Sequence, residues 1–410
     1  MRSLLLPLIL LFSPMETRLP AVAARAVVPC DDGNGGLTLQ PGYCAVVVAR
    51  DLEGVRQVTV GTDGIVYGAM AKGDSGAVAL RDTNGDGRAD ERRLFGPKGA
   101  NDVELHEGFL YLALKDRIVR WKLEPGQLAP GGEPETIVEA LPADASHQAK
   151  SIAFDGDAMF VNIGSPTNSC QEKDRTKESP GIDPCPQLDN RAGIWRFSAS
   201  RAGQKQSDGS RYASGIRNAT ALGVRPGTSQ LYGGTNGRDQ LSTNWPFSDA
   251  YNAENPGEEL LVIEQGDDFG WPYCYYSTEV KALVLAPEYG GDGKKVGRCE
   301  SMKGPVMVFP AHWAPLALAF TSGAAPGGSQ GDGIFVAFHG SWNRAPLPQA
   351  GYRVVFAPFA DGKPTGSFIT FATGSEGETW LRPSGVAVGN DGAVYISADK
   401  NGMIWKVVKS

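Results

Sequence analysis

The sequence lacks an excess of positive charge and, beyond its first residues, any long apolar run. It has 39 Lys and Arg against 46 Asp and Glu, a formal net charge of −7 over 410 residues. This balance excludes a generally basic nucleic-acid-binding protein. No apolar run after residue 24 approaches the length of a membrane helix, so we expect no stable insertion of the mature chain into a membrane.

Residues 1–24 have the pattern of a secretory signal peptide. Arg2 is followed by a short apolar segment at residues 4–12, and small residues at 21–26 offer cleavage sites. The apolar segment is too short to cross a bilayer, which disfavours the alternative of an uncleaved anchor. We therefore predict that residues 1–24 are removed and that the protein is periplasmic or secreted.

Cysteine is also scarce, and its spacing excludes two kinds of site. The six cysteines include no C-x-x-C pair, so neither a redox dithiol nor a zinc ribbon is indicated. An even number suits an oxidising compartment. Sequence alone does not determine connectivity, but pairing of near neighbours would close three short surface loops: Cys30–Cys44, Cys170–Cys185 and Cys274–Cys299.

Helical periodicity is nearly absent, and one hairpin pattern recurs instead. Each copy places two apolar segments around a turn with Gly or Asp-Gly, which supplies the positive φ that tight hairpins need. The copies occupy residues 58–67, 103–112, 152–161, 221–232, 316–338 and 385–395. We predict an all-β protein with a single six-bladed β-propeller domain at residues 25–410. A two-sheet sandwich or several small β domains is the alternative.

A propeller brings the loops between its hairpins to one central channel, so polar loop residues are candidates for a site. The histidines are His106, His147, His312 and His339. His147 directly precedes a predicted inner strand and could act as a general base. The alternative for each histidine is a packed or solvated imidazole.

Arginines occupy similar loop positions: Arg217, Arg344 and Arg382. Guanidinium groups bind carboxylates bidentately, so three of them at one channel would suit a polyanionic small molecule. Taken singly, each arginine is more often the partner of a surface ion pair.

Two loops offer oxygen ligands for Ca²⁺, and a third gathers aromatic residues. Gly237, within residues 236–239, lets backbone carbonyls turn inward, although an ordinary turn is the alternative. Residues 82–90 begin like a calcium loop, but Arg93 stands at the closing glutamate position, so a weak site and a plain turn are equally favoured. The aromatic residues of 269–276 suit sugar stacking or, slightly better, blade packing.

These motifs together resemble the soluble quinoprotein sugar dehydrogenases, in particular the L-sorbosone dehydrogenase branch related to soluble quinoprotein glucose dehydrogenase. The resemblance covers residues 40–408. It rests on His147 with residues 164–165, and on residues 215–218, 236–239, 270–274, 312–315, 338–344 and 382–385. Their number and order make the resemblance specific.

The resemblance implies a propeller enzyme that oxidises a sugar or sugar-derived aldehyde with pyrroloquinoline quinone (PQQ) and Ca²⁺. His147 would be the catalytic base, removing the substrate hydroxyl proton while hydride passes to quinone C5. Arg217 would hold the quinone with Asn218 and stabilise its developing charge. Gly237 and Arg238 would offer backbone carbonyls to Ca²⁺. The other positions implied at the cofactor are Asn236, His312, Trp313, Arg344 and Arg382. A respiratory acceptor would take up the electrons.

Two departures from the family pattern concern the cofactor. Lys150 stands where many relatives carry arginine, and the lysine near the quinone in the glucose enzymes has no clean counterpart around residues 341–344. No Gly-x-Gly-x-x-Gly motif links a strand to a helix, so a nicotinamide enzyme is not supported. The alternative functions are a non-enzymatic propeller that binds or scaffolds and a calcium-dependent propeller hydrolase.

Overall fold

The computed structural model describes residues 28–321, 331–377 and 379–410. The predicted signal peptide at residues 1–24 lies outside this part of the chain. Within it, strands dominate, and no helix is long and apolar enough to cross a membrane.

The six predicted hairpins form the inner halves of six antiparallel sheets, which confirms the six-bladed β-propeller. The first elements of the described residues are a 3₁₀ segment (Asp32–Gly36), β1 (Leu37–Leu39) and β2 (Tyr43–Ala49). Blade 1 contains β3 (Val55–Val60), β4 (Val66–Met70), β5 (Ala77–Arg81) and β6 (Glu91–Phe95). Blade 2 contains β7 (Asp102–His106), β8 (Phe109–Ala113), β9 (Ile118–Lys122) and β10 (Glu135–Val138). Blade 3 contains β11 (Ile152–Asp155), β12 (Ala158–Ile163), β13 (Gly193–Ser198) and β14 (Ser210–Ser214).

Blade 4 carries the largest insertions. Its strands are β15 (Ala221–Val224), β16 (Leu231–Thr235), β17 (Glu258–Ile263) and, after an inserted hairpin of β18 (Cys274–Ser277) and β19 (Ala282–Leu285), β20 (Met307–Phe309). Two short helices, α1 (Leu241–Asn244) and α2 (Asp249–Glu254), lie between β16 and β17. Further 3₁₀ segments are Pro186–Asp189, Gln206–Asp208, Pro287–Tyr289 and Gly297–Ser301.

The last two blades include strands from the N-terminal part of the chain. Blade 5 contains β21 (Pro315–Phe320), β22 (Gly333–Phe338), β23 (Arg353–Ala360), β24 (Lys363–Pro364) and β25 (Ile369–Gly374), and β1 pairs with β25. Blade 6 contains β26 (Pro383–Val388), β27 (Val394–Ala398) and β28 (Met403–Lys409). Its outer strand is β2, which pairs antiparallel with β28. The ring is thus closed by pairing the N-terminal strands β1 and β2 with β25 and β28 near the C-terminal end of the described chain.

The apolar core lies between neighbouring blades. The second strands of the blades, such as β4, β16 and β22, are buried along their whole length because other blades cover both of their faces. Inner strands β11 and β15 become half-buried only in their last two residues, where they line one end of the channel. Each inner strand contacts that of the next blade, and β26 contacts β3.

Removing a large side chain at the closure should destabilise the whole ring. Trp405 in β28 is fully buried, and its Nε1 donates to the carbonyl of Gly35 at 3.0 Å. We expect Trp405→Ala to lower the free energy of unfolding by about 3–5 kcal/mol, measured by chemical denaturation. The control is Trp342→Ala, whose side chain is 59% exposed and whose loss should change stability by roughly 0.5 kcal/mol or less. Equal effects of the two substitutions would contradict the closure argument.

Candidate active site

A polar cavity of about 250 Å³ lies at the end of the channel where the inner strands begin. Loops of blades 3, 4 and 5 line it. The lining residues are His147, Arg175, Arg217, Asn218, Asn236, Gly237, Asp239, Glu258, His312, Ala314, Gly340, Trp342 and Asn343. The structure therefore brings together six residues predicted from the motifs: His147, Arg217, Asn218, Asn236, Gly237 and His312.

Polar side chains from several blades close the channel beneath this cavity. Asn236 Nδ2 donates to Thr220 Oγ1 at 3.2 Å and to the carbonyl of Pro315 at 3.0 Å. The carbonyl of Thr220 accepts from Gln57 Nε2 at 2.9 Å and from Ser151 Oγ at 2.7 Å. These bonds join blades 1, 3, 4 and 5, so the floor of the cavity is held by the propeller ring itself.

His147 lines the cavity with a defined tautomer. Its Nδ1 lies 2.8 Å from the carbonyl of Ser165 and 3.0 Å from Ser165 Oγ, whose proton is donated to the carbonyl of Thr167. Both oxygens accept, so Nδ1 carries the proton and Nε2 carries the lone pair. Burial, together with the positive charge of Arg217, lowers the pKa of His147 to about 3. The ring is therefore neutral at neutral pH, with the Nε2 lone pair unprotonated.

Three residues that line the cavity have left-handed backbone conformations, which are uncommon outside glycine and occur often at functional sites. His147 has φ 51°, and on the opposite wall His312 has φ 64° and Ala314 has φ 58°. Left-handed conformations are costly for non-glycine residues and persist only where surrounding contacts hold them. His312 is held by its Nε2, which donates to the carbonyls of Asn252 at 2.7 Å and Asn255 at 3.0 Å.

Arg217 is buried with an acceptor for every N–H group of its guanidinium. Nε donates to the carbonyl of Asn168 at 3.2 Å, and Nη1 donates to the carbonyls of Asn236 at 3.3 Å and Gly237 at 2.8 Å. Nη2 donates to Asn168 Oδ1 at 3.0 Å and to Asp239 Oδ2 at 2.9 Å. Arg217 is thus a fixed positive charge at the wall of the cavity, and its neighbours determine its position.

Asn218 is oriented by a buried partner that the motifs did not identify. The Asn162 side chain in β12 accepts from the backbone N–H of Ala219 at 3.1 Å, which fixes its oxygen, and its Nδ2 donates to Asn218 Oδ1 at 3.1 Å. The amide group of Asn218 is therefore turned so that its remaining polar atoms are donors.

Two acidic residues at the cavity were also not predicted. Although burial raises the pKa of Asp239, the charges of Arg217 and Arg175 outweigh that effect and hold it below the usual range. Glu258, 3% exposed, accepts from the backbone N–H of Gly237 at 2.8 Å and of Ala314 at 3.0 Å. Burial raises the pKa of Glu258 to about 7, against the effect of these two bonds. The cavity therefore contains charges of both signs.

Signals for these missed residues were weak in the sequence. Arg175 lies in the long connection between β12 and β13, in which no motif was identified beyond residues 164–165, and Asp239 lies within the 236–239 motif. Glu258 and Glu259, in contrast, stand at the start of a strand like any solvent-exposed charged pair. Only the packing of blade 4 against blade 5 places Glu258 at the cavity.

Four other predicted residues have side chains that bond away from the cavity. Arg238 forms a buried ion pair with Glu288. Trp313 packs edge-on against Phe338 in the core. Arg344 Nη2 donates to Glu254 Oε1 at 2.6 Å, and Arg382 Nη2 donates to Nδ1 of His339 at 2.9 Å. Their roles toward a cofactor stay predictions.

The insertions next to the cavity form a small core of their own. The structure forms all three expected disulfides, and Cys170–Cys185 and Cys274–Cys299 both lie in this core. Trp271 and Tyr273 are buried there, so the aromatic loop serves packing rather than sugar stacking. This core also positions Asn168, whose carbonyl accepts from Trp271 Nε1 at 3.0 Å.

The loop of residues 82–90 folds as a turn stabilised by its own carboxylates. Asp82 accepts from the backbone N–H groups of Gly85 and Gly87, each at 2.7 Å. Asp90 accepts from the N–H and hydroxyl groups of Thr83, also at 2.7 Å. These bonds give the acidic residues of the loop a structural role.

A family model described as TrAA12-like matches residues 37–410, and the chain belongs to this family. The family inferred from the motifs is thereby confirmed. The chain is similar to a PQQ-dependent pyranose dehydrogenase of Coprinopsis cinerea, with 29% identity over 199 residues covering 41% of this chain and 26% of that protein. An uncharacterised protein of Borreliella burgdorferi is 26% identical over 199 residues, 48% of either chain. These curated relatives are thus matched over about half of their length or less.

Solved structures share the fold at low sequence identity. The holo pyranose dehydrogenase PQQ domain from Coprinopsis cinerea superposes with a TM-score of 0.74 at 18% identity, covering 90% of this chain and 96% of that one. The calcium structure of a Trichoderma reesei family AA12 enzyme gives 0.74 at 18% identity, covering 95% and 100%. PQQ-bound aldose sugar dehydrogenase from Streptomyces coelicolor gives 0.56 at 16% identity, covering 90% and 100%.

The protonation state of His147 can be tested directly. We expect its ring resonances to show no titration near about 6.5, the value of a free imidazole, and to shift only as the pH falls toward about 3. Because the pKa of His147 is lower in the folded than in the unfolded protein, protonation of this residue favours unfolding. The free energy of unfolding should therefore not depend on His147 above about pH 6.5 and should decrease as the pH falls below that value. The measurement is NMR of ring-labelled histidine, assigned with His147→Asn. A midpoint near that of free imidazole would contradict the burial argument.

Proposed function

We propose that this protein is a PQQ-dependent dehydrogenase that oxidises a sugar or a sugar-derived aldehyde. One observation carries the proposal: His147, with a free basic nitrogen, shares a single cavity with Arg217, Asn218 and the loop at residues 236–239. Family membership and the PQQ-dependent relatives named above support the same chemistry. When bound, the quinone supplies the hydride acceptor that no amino-acid side chain can provide.

The polar groups that line the cavity fit both PQQ and Ca²⁺, the two groups that the family implies. Arg217 and Arg175 offer positive charge to a polyanion, and Asn218 offers amide donors. The carbonyl of Gly237, one of the two proposed for Ca²⁺, lies at the cavity wall, where it accepts from Arg217 Nη1 at 2.8 Å, and backbone oxygens of this kind are ligands for Ca²⁺. The described ranges contain no cluster of three or more His, Cys, Asp or Glu side chains suited to a metal, so backbone oxygens would have to provide the ligands.

In this proposal His147 is the general base. Its Nδ1–H is held by Ser165, so Nε2 is the atom that takes the proton from the substrate hydroxyl. Burial and the charge of Arg217 keep the imidazole neutral, with Nε2 unprotonated, over the physiological pH range. Arg217 stabilises negative charge that develops nearby, and its acceptors hold it in place during the reaction.

The loop after β16 would hold Ca²⁺ through the carbonyls of Gly237 and Arg238, with Asn236 alongside. Gly237 is suited to this loop because a Cβ there would lie 2.7 Å from Cγ of Pro256. The buried ion pair of Arg238 with Glu288 fixes the far side of the loop. Trp313, Arg344, Arg382 and His312 remain proposed contacts around the cofactor.

Trp342 is the proposed platform for the sugar. It lines the cavity yet is 59% exposed, an unusual position for a large aromatic side chain. The face of an indole ring packs well on the apolar face of a pyranose. Three disulfides support a periplasmic or secreted location, where a respiratory acceptor could receive the electrons.

Reconstitution tests the proposal. Apo-protein supplied with PQQ and Ca²⁺ should oxidise members of a sugar panel in a dye-linked assay. His147→Asn should lower kcat by about 10²–10⁴-fold, because general-base catalysis is lost, without weakening PQQ binding in calorimetry.

The matched control is His106→Asn at the other end of the channel, where Nε2 of His106 bonds to the carbonyl of Gly156 at 2.8 Å. It should retain wild-type activity. Binding of PQQ without turnover of any sugar would instead favour a non-enzymatic propeller that binds ligands.

Trp342→Ala tests the sugar platform. We expect KM for a pyranose substrate to rise roughly tenfold with little change in kcat, because the lost stacking acts in substrate binding. Steady-state kinetics on the reconstituted enzyme measure this, with Leu94→Ala as the control because that exposed side chain lies on the outer strand of blade 1. An unchanged KM would remove Trp342 from the substrate site.

A further inference from the structure

The Glu258 carboxylate holds two peptide groups that face the cavity from different blades. Oε2 accepts from the N–H of Gly237, in the blade 4 loop, at 2.8 Å. Oε1 accepts from the N–H of Ala314, at the start of blade 5, at 3.0 Å. The side chain is buried and lies at the first residue of β17.

The bond to Gly237 sets the direction of the preceding carbonyl. The peptide joining Asn236 to Gly237 is trans and planar, so its C=O points opposite to its N–H. Holding the N–H toward Glu258 therefore directs the carbonyl of Asn236 the other way, where Arg217 Nη1 lies 3.3 Å from it. A rotation of this peptide would move the Asn236 carbonyl oxygen away from the Arg217 guanidinium.

The bond to Ala314 fixes the facing wall in the same way. The carbonyl of Trp313, in the same peptide as the Ala314 N–H, accepts from the N–H of Gly340 at 3.0 Å, and Gly340 lines the cavity. The N–H of His339 donates to the carbonyl of Ala314, also at 3.0 Å. Glu258 thus sets the spacing between the 236–239 loop and the blade 5 wall.

We propose that Glu258 is a positioning residue: by holding the N–H of Gly237 and the blade 5 wall together, it keeps the 236–239 loop in the arrangement in which the carbonyls of Gly237 and Arg238 would bind Ca²⁺ beside the cofactor. This inference rests on the proposed function. Both carboxylate oxygens are needed, because each serves a different peptide. Groups that orient metal ligands typically change metal affinity by about 10–100-fold when removed.

Three variants separate this role from its alternatives. Glu258→Gln keeps the size of the side chain but offers one acceptor in place of two. Glu258→Asp keeps the charge but is too short to reach both N–H groups. The matched control is Glu259→Gln, since successive side chains of a strand point to opposite faces and Glu259 lies next to Glu258 in β17.

The experiment measures Ca²⁺ binding to the apo-protein by calorimetry and PQQ binding by absorbance, with thermal unfolding as the check of folding. We expect Glu258→Gln and Glu258→Asp to weaken Ca²⁺ binding by about 10–100-fold and Glu259→Gln to leave it unchanged. Excess Ca²⁺ should restore kcat of the Glu258 variants toward the wild-type value, which a purely structural defect would not allow.

The other outcomes overturn the inference in distinguishable ways. Wild-type Ca²⁺ affinity in both Glu258 variants would show that the contacts do not position the ligands. Weakened binding in Glu258→Gln alone would indicate that the charge acts directly, because the shorter aspartate retains it. If the wild-type protein itself binds neither Ca²⁺ nor PQQ, the proposed function fails, and the inference fails with it.

Discussion

Closure of the strand ring is the constraint on which this structure depends. A blade cannot bury both of its faces alone, so each of the six sheets requires a neighbour on either side. The pairing of β2 with β28 completes blade 6 with a strand from the N-terminal part of the chain. Once the ring is closed, the starts of all inner strands surround one axis. The cavity is therefore a result of the closure, and its floor consists of bonds between blades.

The cavity holds its charged groups in place before any ligand arrives. The guanidinium of Arg217 is saturated by Asn168, Asn236, Gly237 and Asp239, which offsets much of the cost of burying a positive charge. Glu258 is satisfied in turn by two backbone N–H groups. Such preorganisation suits electrostatic catalysis, because the groups need not rearrange while charge develops.

The inserted loops are stabilised separately from the blades. Two disulfides and a small aromatic core connect the 165–190 and 264–305 segments, which lie beside the cavity. Asn168 then connects this core to Arg217 and Asp239. Substitutions in these loops can therefore alter the pocket while leaving the ring intact.

Local sequence signals determined the six inner hairpins, because strand alternation and glycine turns act between residues that are close along the chain. Motifs also identified His147, Arg217, Asn218 and Gly237 as residues of one site. The tertiary structure alone decided where side chains point. It paired Arg238 with Glu288, buried Trp313 in the core, and brought Glu258 to the cavity. These partners lie tens of residues apart in sequence and become neighbours only when the blades pack, so no local pattern could specify them.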